Sequence, residues 1–312
     1  MPFVSSVHVD QALTNISQAY QQEDLVGDQV FPVVPVDKRS DLWFVYGREM
    51  FSLRGLKVRP GAVAPEMTYT LSKSSYNAER HAERHLVTDA ERRVSDNPLQ
   101  PEIDSTEILT GNLMTNAEND QLSVANNTAI VTQNTTLSGT SQWSDYTNST
   151  PLTNIRSGKV AVRLGVGREA NTFLASFETA MTLADHPSIK DLIKYTHPEA
   201  LTESGLPDTI RGMKVLVAKA ITNTGDDAIP GAFQGVMGKN AVIAYVNPSP
   251  GLKTISFGWT FEAPDDTTGA RGYSVRKYRD DAKTGDYVEA ARTFVPVVVA
   301  ANAAYLFVAA TT

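Results

Sequence analysis

At 312 residues, 41% hydrophobic and 20% charged, the chain has the composition of an ordinary folded protein and the length for one large core or two domains. It contains no cysteine, which excludes disulfides, thiolate nucleophiles and cysteine-bound zinc or iron–sulfur centres. A formal net charge of −7 argues against a protein whose main task is gripping nucleic acid, and the start MPFVSSVHVDQAL lacks the pattern of a secretory signal.

Residues 1–29 are polar, with a weak helical pattern around LTNISQAYQQEDLVGDQV. Pro32 and Pro35 cannot donate ladder hydrogen bonds, so 30–36 reads as an extended arm lying on a surface, not as a central strand. The run LWFVY (42–46) has strand composition. Gly55, Pro60, Gly61 and Pro65 punctuate a long excursion over 52–75, whose sides, 48–58 and 66–76, are expected to pair as a hairpin. A lone two-stranded hairpin is marginal in water and wants a partner surface.

Pro98 and Pro101 precede the longest predicted helix, 101–126, where Leu109, Leu113 and Ala117 recur every four residues. Asp104 and Glu107 make its first turns acidic, as the helix dipole favours. An Asn/Thr/Ser-rich stretch follows and reads as loop or irregular β-structure. Next come a short strand at 171–176 (NTFLAS), helices at 177–186 and 188–196, and strands at 214–221, 241–246 and 256–263. The apolar tail FVPVVVAANAAYLFVAATT (294–312) holds Pro296 and Asn302 and has no basic residue after it. It reads as two buried strands, not as a membrane anchor.

Three motifs suggest chemistry and fall short of it. The repeat AERHAERH (78–85) places His81 and His85 four apart, as a helical zinc site would, but gives HxExH and not HExxH. His8, His186 and His197 stand in no motif that could complete it. Tyr76, Ala78, Ala82 and Leu86 also allow a strand, which sets the two histidines about 13 Å apart, too far to share an ion. Second, GVGREA (165–170) fits a dinucleotide fingerprint but precedes NTFL, which reads as strand where helix is required; a glycine turn is the better reading. Third, no GxSxG, phosphate loop or framed carboxylate pair is present.

Charge is unevenly spread: 37–93 holds 11 Lys+Arg against 8 Asp+Glu, a balance of +3, leaving −10 elsewhere. Either this is ordinary surface variation, or a basic segment docks on an acidic copy of the same chain.

The order of these features resembles the tailed-bacteriophage major capsid proteins of the Johnson, or Hong Kong 97-type (HK97-like), fold. The resemblance covers nearly the whole chain and rests most on FPVVPVDK…Y…REMF, on D…NPL before the long helix, and on HPSIKDLIKY with the strand after it. It implies an α+β fold with an N-terminal arm over 1–50, an extended β-hairpin E-loop over 51–86 and a peripheral (P) domain over 87–150 whose spine helix spans 101–126. A mixed α/β axial (A) domain over 151–265 follows, and strands at 266–312 return to the P domain.

The implied function is self-assembly, through hexamers and pentamers of the chain, into an icosahedral virion shell around double-stranded DNA held without base reading. Assembly in the host cytoplasm, a portal protein, and scaffolding or decoration proteins go with it; a membrane, a cofactor, a metal and catalysis do not. On this reading the intersubunit contacts are Phe31, Val33, Val34, Lys38, Arg39, Arg48, Arg54, Lys57, Arg59, Arg80 and Arg84, and AERHAERH is a polar strip against a neighbour. An encapsulin-like compartment is the alternative, with a metal-dependent enzyme using His81 and His85 behind it.

Overall fold

The structure, a computed structural model, describes residues 25–52, 56–66, 68–94, 100–194, 204–223, 231, 233–251 and 254–312. In chain order, a short helix α1 (Gly27–Val30) leads into β1 (Val33–Pro35), β2 (Ser40–Tyr46), β3 (Leu71–Asn77) and β4 (Glu79–Thr88). The helices α2 (Asp89–Val94) and α3 (Pro101–Ala125) follow, then β5 (Asn134–Thr136), α4 (Pro151–Val166), β6 (Thr172–Ser176), α5 (Phe177–Asp185) and α6 (Pro187–Ile193). The remaining strands are β7 (Thr209–Ile210), β8 (Met213–Ala218), β9 (Ile221–Asn223), β10 (Phe233–Gly235), β11 (Ala241–Ala244), β12 (Gly258–Glu262), β13 (Ser274–Asp280), β14 (Gly285–Val298) and β15 (Ala304–Val308).

Two sheets organise the molecule. One has six strands in the order β5-β15-β11-β6-β8-β7. Its central strands are apolar on both faces, as in Ala241–Ala244 and Phe173–Ala175, because α4 and other segments bury them. Trp143, Ile155, Phe173, Ile243 and Leu306 lie in this main core at 0–1% exposure. The second sheet runs β1-β12-β14-β13, with β4 also paired to β14. Leu109 and Leu113 of α3 pack across it onto Val87, Val275, Val288 and Ala290, which is the use the four-residue spacing predicts.

The expected long helix is α3, and the tail forms the end of β14 and then β15, with 301–303 turning between them beside Asn302. The GVG stretch closes α4. Gly167 takes φ +71° as its left-handed cap and donates its N–H to Arg163 O at 2.8 Å, after which β6 follows as a strand.

Two expectations are corrected. The hairpin pairs 40–46 with 71–77, Ser40 opposite Asn77 and Tyr46 opposite Leu71, so its paired stem begins before residue 48. AERHAERH is not part of the excursion: from Glu79 onward it lies in β4, antiparallel to β14, with His81 opposite Arg292 and His85 opposite Val288.

Candidate functional site

The β2–β3 hairpin pairs with no further strand among the described residues. Its sequence explains both its anchorage and its exposed side. LWFVY is apolar at every position, so a strand's alternation gives it two apolar faces. One face holds Trp43, whose ring lies 5.6 Å from Phe261 and 6.4 Å from Tyr76, while Tyr76 stacks on Phe261 at 4.5 Å. Tyr76 donates its hydroxyl to Lys38 O at 3.1 Å, and burial pushes its phenol above the ordinary value. This clasp, closed by Trp259 and Val34, ties the stem to β12.

The opposite face has no such cover. Leu42, Phe44 and Tyr46 are 56%, 53% and 36% exposed, with Leu71 and Tyr69 beside them. The Lys73 ammonium lies over the Phe44 ring at 5.6 Å, and Tyr46 stacks on Tyr69. A contiguous apolar face of this kind marks an interaction surface, because water solvates it poorly. At the hairpin's shoulder, Arg48 Nη2 donates to Leu164 O at 3.1 Å, and the Phe51 ring lies where a side chain on Gly167 would clash, 2.8 Å from its Cβ position.

The expected contact residues divide into two sets. Phe31 is 0% exposed, 5.2 Å from Phe257 in the chain's own core, so its side chain is not available to a neighbour. Val33 and Val34 are half-buried in β1, parallel to β12; the arm thus finishes this subunit's own sheet at 33–35. Arg80 is spent internally, Nε on Asp265 at 2.5 Å and Nη2 on Glu289 at 2.7 Å. Burial works against its charge, but these carboxylates raise its basicity overall. Arg39 is shared between Ala78 O and the Asp266 carboxylate.

The other set faces solvent. Lys38 and Arg84 are exposed, the latter bonded to Tyr278 Oη at 3.0 Å and lying over the Tyr287 ring. Lys57 and Arg59 are exposed on the hairpin, and Arg54 lies outside the described residues. The residues that sequence reasoning missed are Leu42, Phe44, Phe51 and Leu164. The first two had a signal, a strand with no polar face.

Among the described residues no group of three His, Asp or Glu side chains is placed to hold an ion. His81 lies against Phe294 at 4.7 Å and 3.9 Å from the Asp120 carboxylate of α3. No helix among the described residues is long and apolar enough to cross a membrane.

No protein-family model matches the chain. Over 307 residues, 96% of this chain and 95% of the relative, it is 26% identical to the major capsid protein of Burkholderia phage BcepMu. Among solved structures, a phage-related protein from Bordetella bronchiseptica RB50 superposes with a TM-score of 0.73 at 22% identity, covering 98% of both chains. The capsid of cyanophage P-SCSP1u matches at 0.64 with 8% identity, over 93% of this chain and 89% of that one. The SrpI encapsulin complex of Synechococcus elongatus shares the fold at 0.56. The chain has the Hong Kong 97-type fold and is similar over nearly its whole length to a phage major capsid protein.

Proposed function

We propose that copies of this chain build the icosahedral shell of a tailed double-stranded DNA phage through hexameric and pentameric capsomers, assembled in the host cytoplasm. The observation that carries the reading is the β2–β3 hairpin. It is firmly clasped at Trp43, Tyr76 and Phe261, yet it exposes Leu42, Phe44 and Leu71 to water. A subunit gains from that arrangement only if another chain covers the outer face.

On this reading the hairpin is the E-loop, α3 is the spine of the P domain, and the six-stranded sheet with α4–α6 is the A domain. A portal protein and, in some shells, scaffolding and decoration proteins are the partners. The acidic chain holds DNA by confinement and counterions, without base contacts. Many modest heterologous contacts close into rings, and charge complementarity sets their register. An encapsulin-like compartment is the second reading, favoured by the shared fold, and a cargo enzyme copurifying with the shell would select it. The test is removal of 56–66 with a short linker. The expected product is a folded subunit with unchanged circular dichroism that sediments as small species; particles of ordinary size would overturn the role given to the hairpin.

A further inference from the structure

His186 belongs to no motif in the sequence, yet the fold puts it at a joint. Its backbone N–H donates to Leu183 O at 3.1 Å and closes α5, while its carbonyl accepts from Lys190 N at 3.0 Å and opens α6. The residue is only 3% exposed. Its Nδ1 accepts the N–H of Ser188 at 3.2 Å and so caps α6, and the Ser188 hydroxyl lies 2.7 Å from the same atom. On the far side Nε2 is 3.1 Å from Ser149 Oγ, and the Tyr146 ring stands edge-on to the imidazole at 5.8 Å.

Those contacts fix the tautomer. A backbone N–H can only donate, so Nδ1 carries the lone pair and Nε2 the proton, which it donates to Ser149. The two side chains are therefore not a nucleophile and its base, because a protonated Nε2 cannot take the Ser149 proton. They form a strut that holds the 145–149 turn against the α5–α6 corner, and the strut needs a neutral ring. Burial lowers the imidazole's basicity below the ordinary 6.5. Both α4 and α6 begin beside the ring, and their positive ends disfavour a further positive charge. The carboxylates of these elements are engaged elsewhere or face water. Asp145 accepts from Thr147 N, Asn148 N and the Asn148 amide, and Asp185 pairs with Lys190 at 3.1 Å. Glu178 and Asp191, the other charged groups of α5 and α6, are exposed, and α4 has no titratable residue before Arg156.

We propose that His186 is an acid-operated latch: one proton on Nδ1 uncaps α6 and opens the α5–α6 corner away from the 145–149 turn. The new Nδ1 proton faces the Ser188 N–H, donor against donor. The Ser188 hydroxyl turns and accepts it, and the backbone N–H is left without an acceptor. The imidazolium then lies buried among neutral partners, and letting water in relieves it. Below 6.5 the open corner binds a proton that the closed one excludes, so acid favours opening, down to the closed state's own value. The latch is a property of the single subunit and does not depend on the shell reading.

Hydrogen exchange of the full-length protein, kept in one assembly state and corrected for the intrinsic pH dependence of exchange, tests the latch. From about pH 7.5 to about pH 5.5 the amides of 188–190 should lose about tenfold in protection, the factor separating an ordinary open-state histidine from a closed-state one that stays neutral. The strand amides of 173–175 and 241–244 should keep theirs. His186→Asn retains an acceptor for the cap but does not titrate in this range, so its 188–190 protection should be flat with pH. A double variant, His81→Gln with His85→Gln, should still show the tenfold change. Circular dichroism checks that each variant is folded, and His186→Gln replaces His186→Asn if that one is not. A wild type that is flat over this range, or an equal loss in the strands, overturns the latch. So does a loss that survives His186→Asn or disappears with His81 and His85.

Discussion

Glu118, in the C-terminal half of the long helix α3, accepts hydrogen bonds from the backbone N–H groups of Val26 and Gly27, at 3.0 and 2.6 Å. The segment entering α1 is thereby pinned to α3 at a site where Glu118 is only 2% exposed. Gln121 adds a bond to Asp28 at 2.7 Å and one to Thr260 at 2.9 Å, so arm, helix and sheet meet on two neighbouring turns of α3. A Cβ on Gly27 would stand 1.9 Å from Gln121 Oε1 and 2.5 Å from Glu118 Oε2, which is why glycine occupies that position.

Glu118→Ala should therefore destabilise the subunit by about 2–3 kcal/mol, since two buried N–H groups lose their acceptor. Urea denaturation gives the value; a loss within ±0.5 kcal/mol would show that the pin contributes nothing.

The same residue gives a pH dependence of defined sign. Burial raises its pKa above the ordinary 4.5, outweighing the two N–H groups that lower it. Between 4.5 and its folded-state value the native protein thus holds a proton that the unfolded chain has released. This group's contribution to stability must fall as pH rises through that window. Glu118→Gln should remove that part of the slope, and superimposable pH–stability curves for the two proteins would contradict it.

A second charged cluster predicts the opposite slope. Glu289 is pushed up by burial, but hydrogen bonds from Arg276 and Arg80 prevail and hold it below 4.5. Asp286 is likewise raised by burial and lowered further by Arg92, Lys277 and Arg279. Their stabilisation is complete above the unfolded values of 4.5 and 3.8 and is lost as pH falls through the lower folded ones. Acid unfolding of Glu289→Gln should be shallower below pH 4.5 than that of the wild type, from a lower starting stability. Parallel acid limbs would remove the cluster from the account.

The clasp predicts a separation of folding from assembly. Trp43→Ala should cost about 1–3 kcal/mol in stem docking, the size expected for a half-buried aromatic anchor and its ring contacts. Limited proteolysis within 47–70 should become faster, while the six-stranded sheet, which Trp43 does not touch, keeps its hydrogen-exchange protection. Equal loss of protection in both places would mean that the hairpin is an integral part of the core.

Much of this layout was legible because local pattern and tertiary role agree. Leu109, Leu113 and Ala117 predict α3, and the same residues are buried. The helix α4 was not legible. PLTNIRSGKVAVRLGV carries two glycines that lower helix propensity, and both are there for packing. A Cβ at Gly158 would meet Ile243, Phe307 and Tyr305 within 3.2 Å, and one at Gly165 would lie 2.5 Å from the backbone oxygen of Asn302. Those neighbours are more than 80 residues away in sequence, beyond the reach of any local rule. Phe31 was misassigned for the same reason, since its site is made by Phe257 and Gly258. The stem register was missed because LWFVY has no polar face to fix it. The histidine repeat was resolved by period: in a strand, His81 faces Asp120 and Phe294 and gathers no further ligands. Excess zinc should accordingly leave the melting temperature of wild type and of His81→Gln alike; a zinc-dependent rise only in the wild type would reopen the metal reading.

The central claim is that this chain closes into a shell. Negative-stain electron microscopy of the purified full-length protein tests it most directly. Uniform closed particles of icosahedral outline, some tens of nanometres across, are the predicted result. A persistently monomeric or small globular species, even with phage-derived partners supplied, would contradict it.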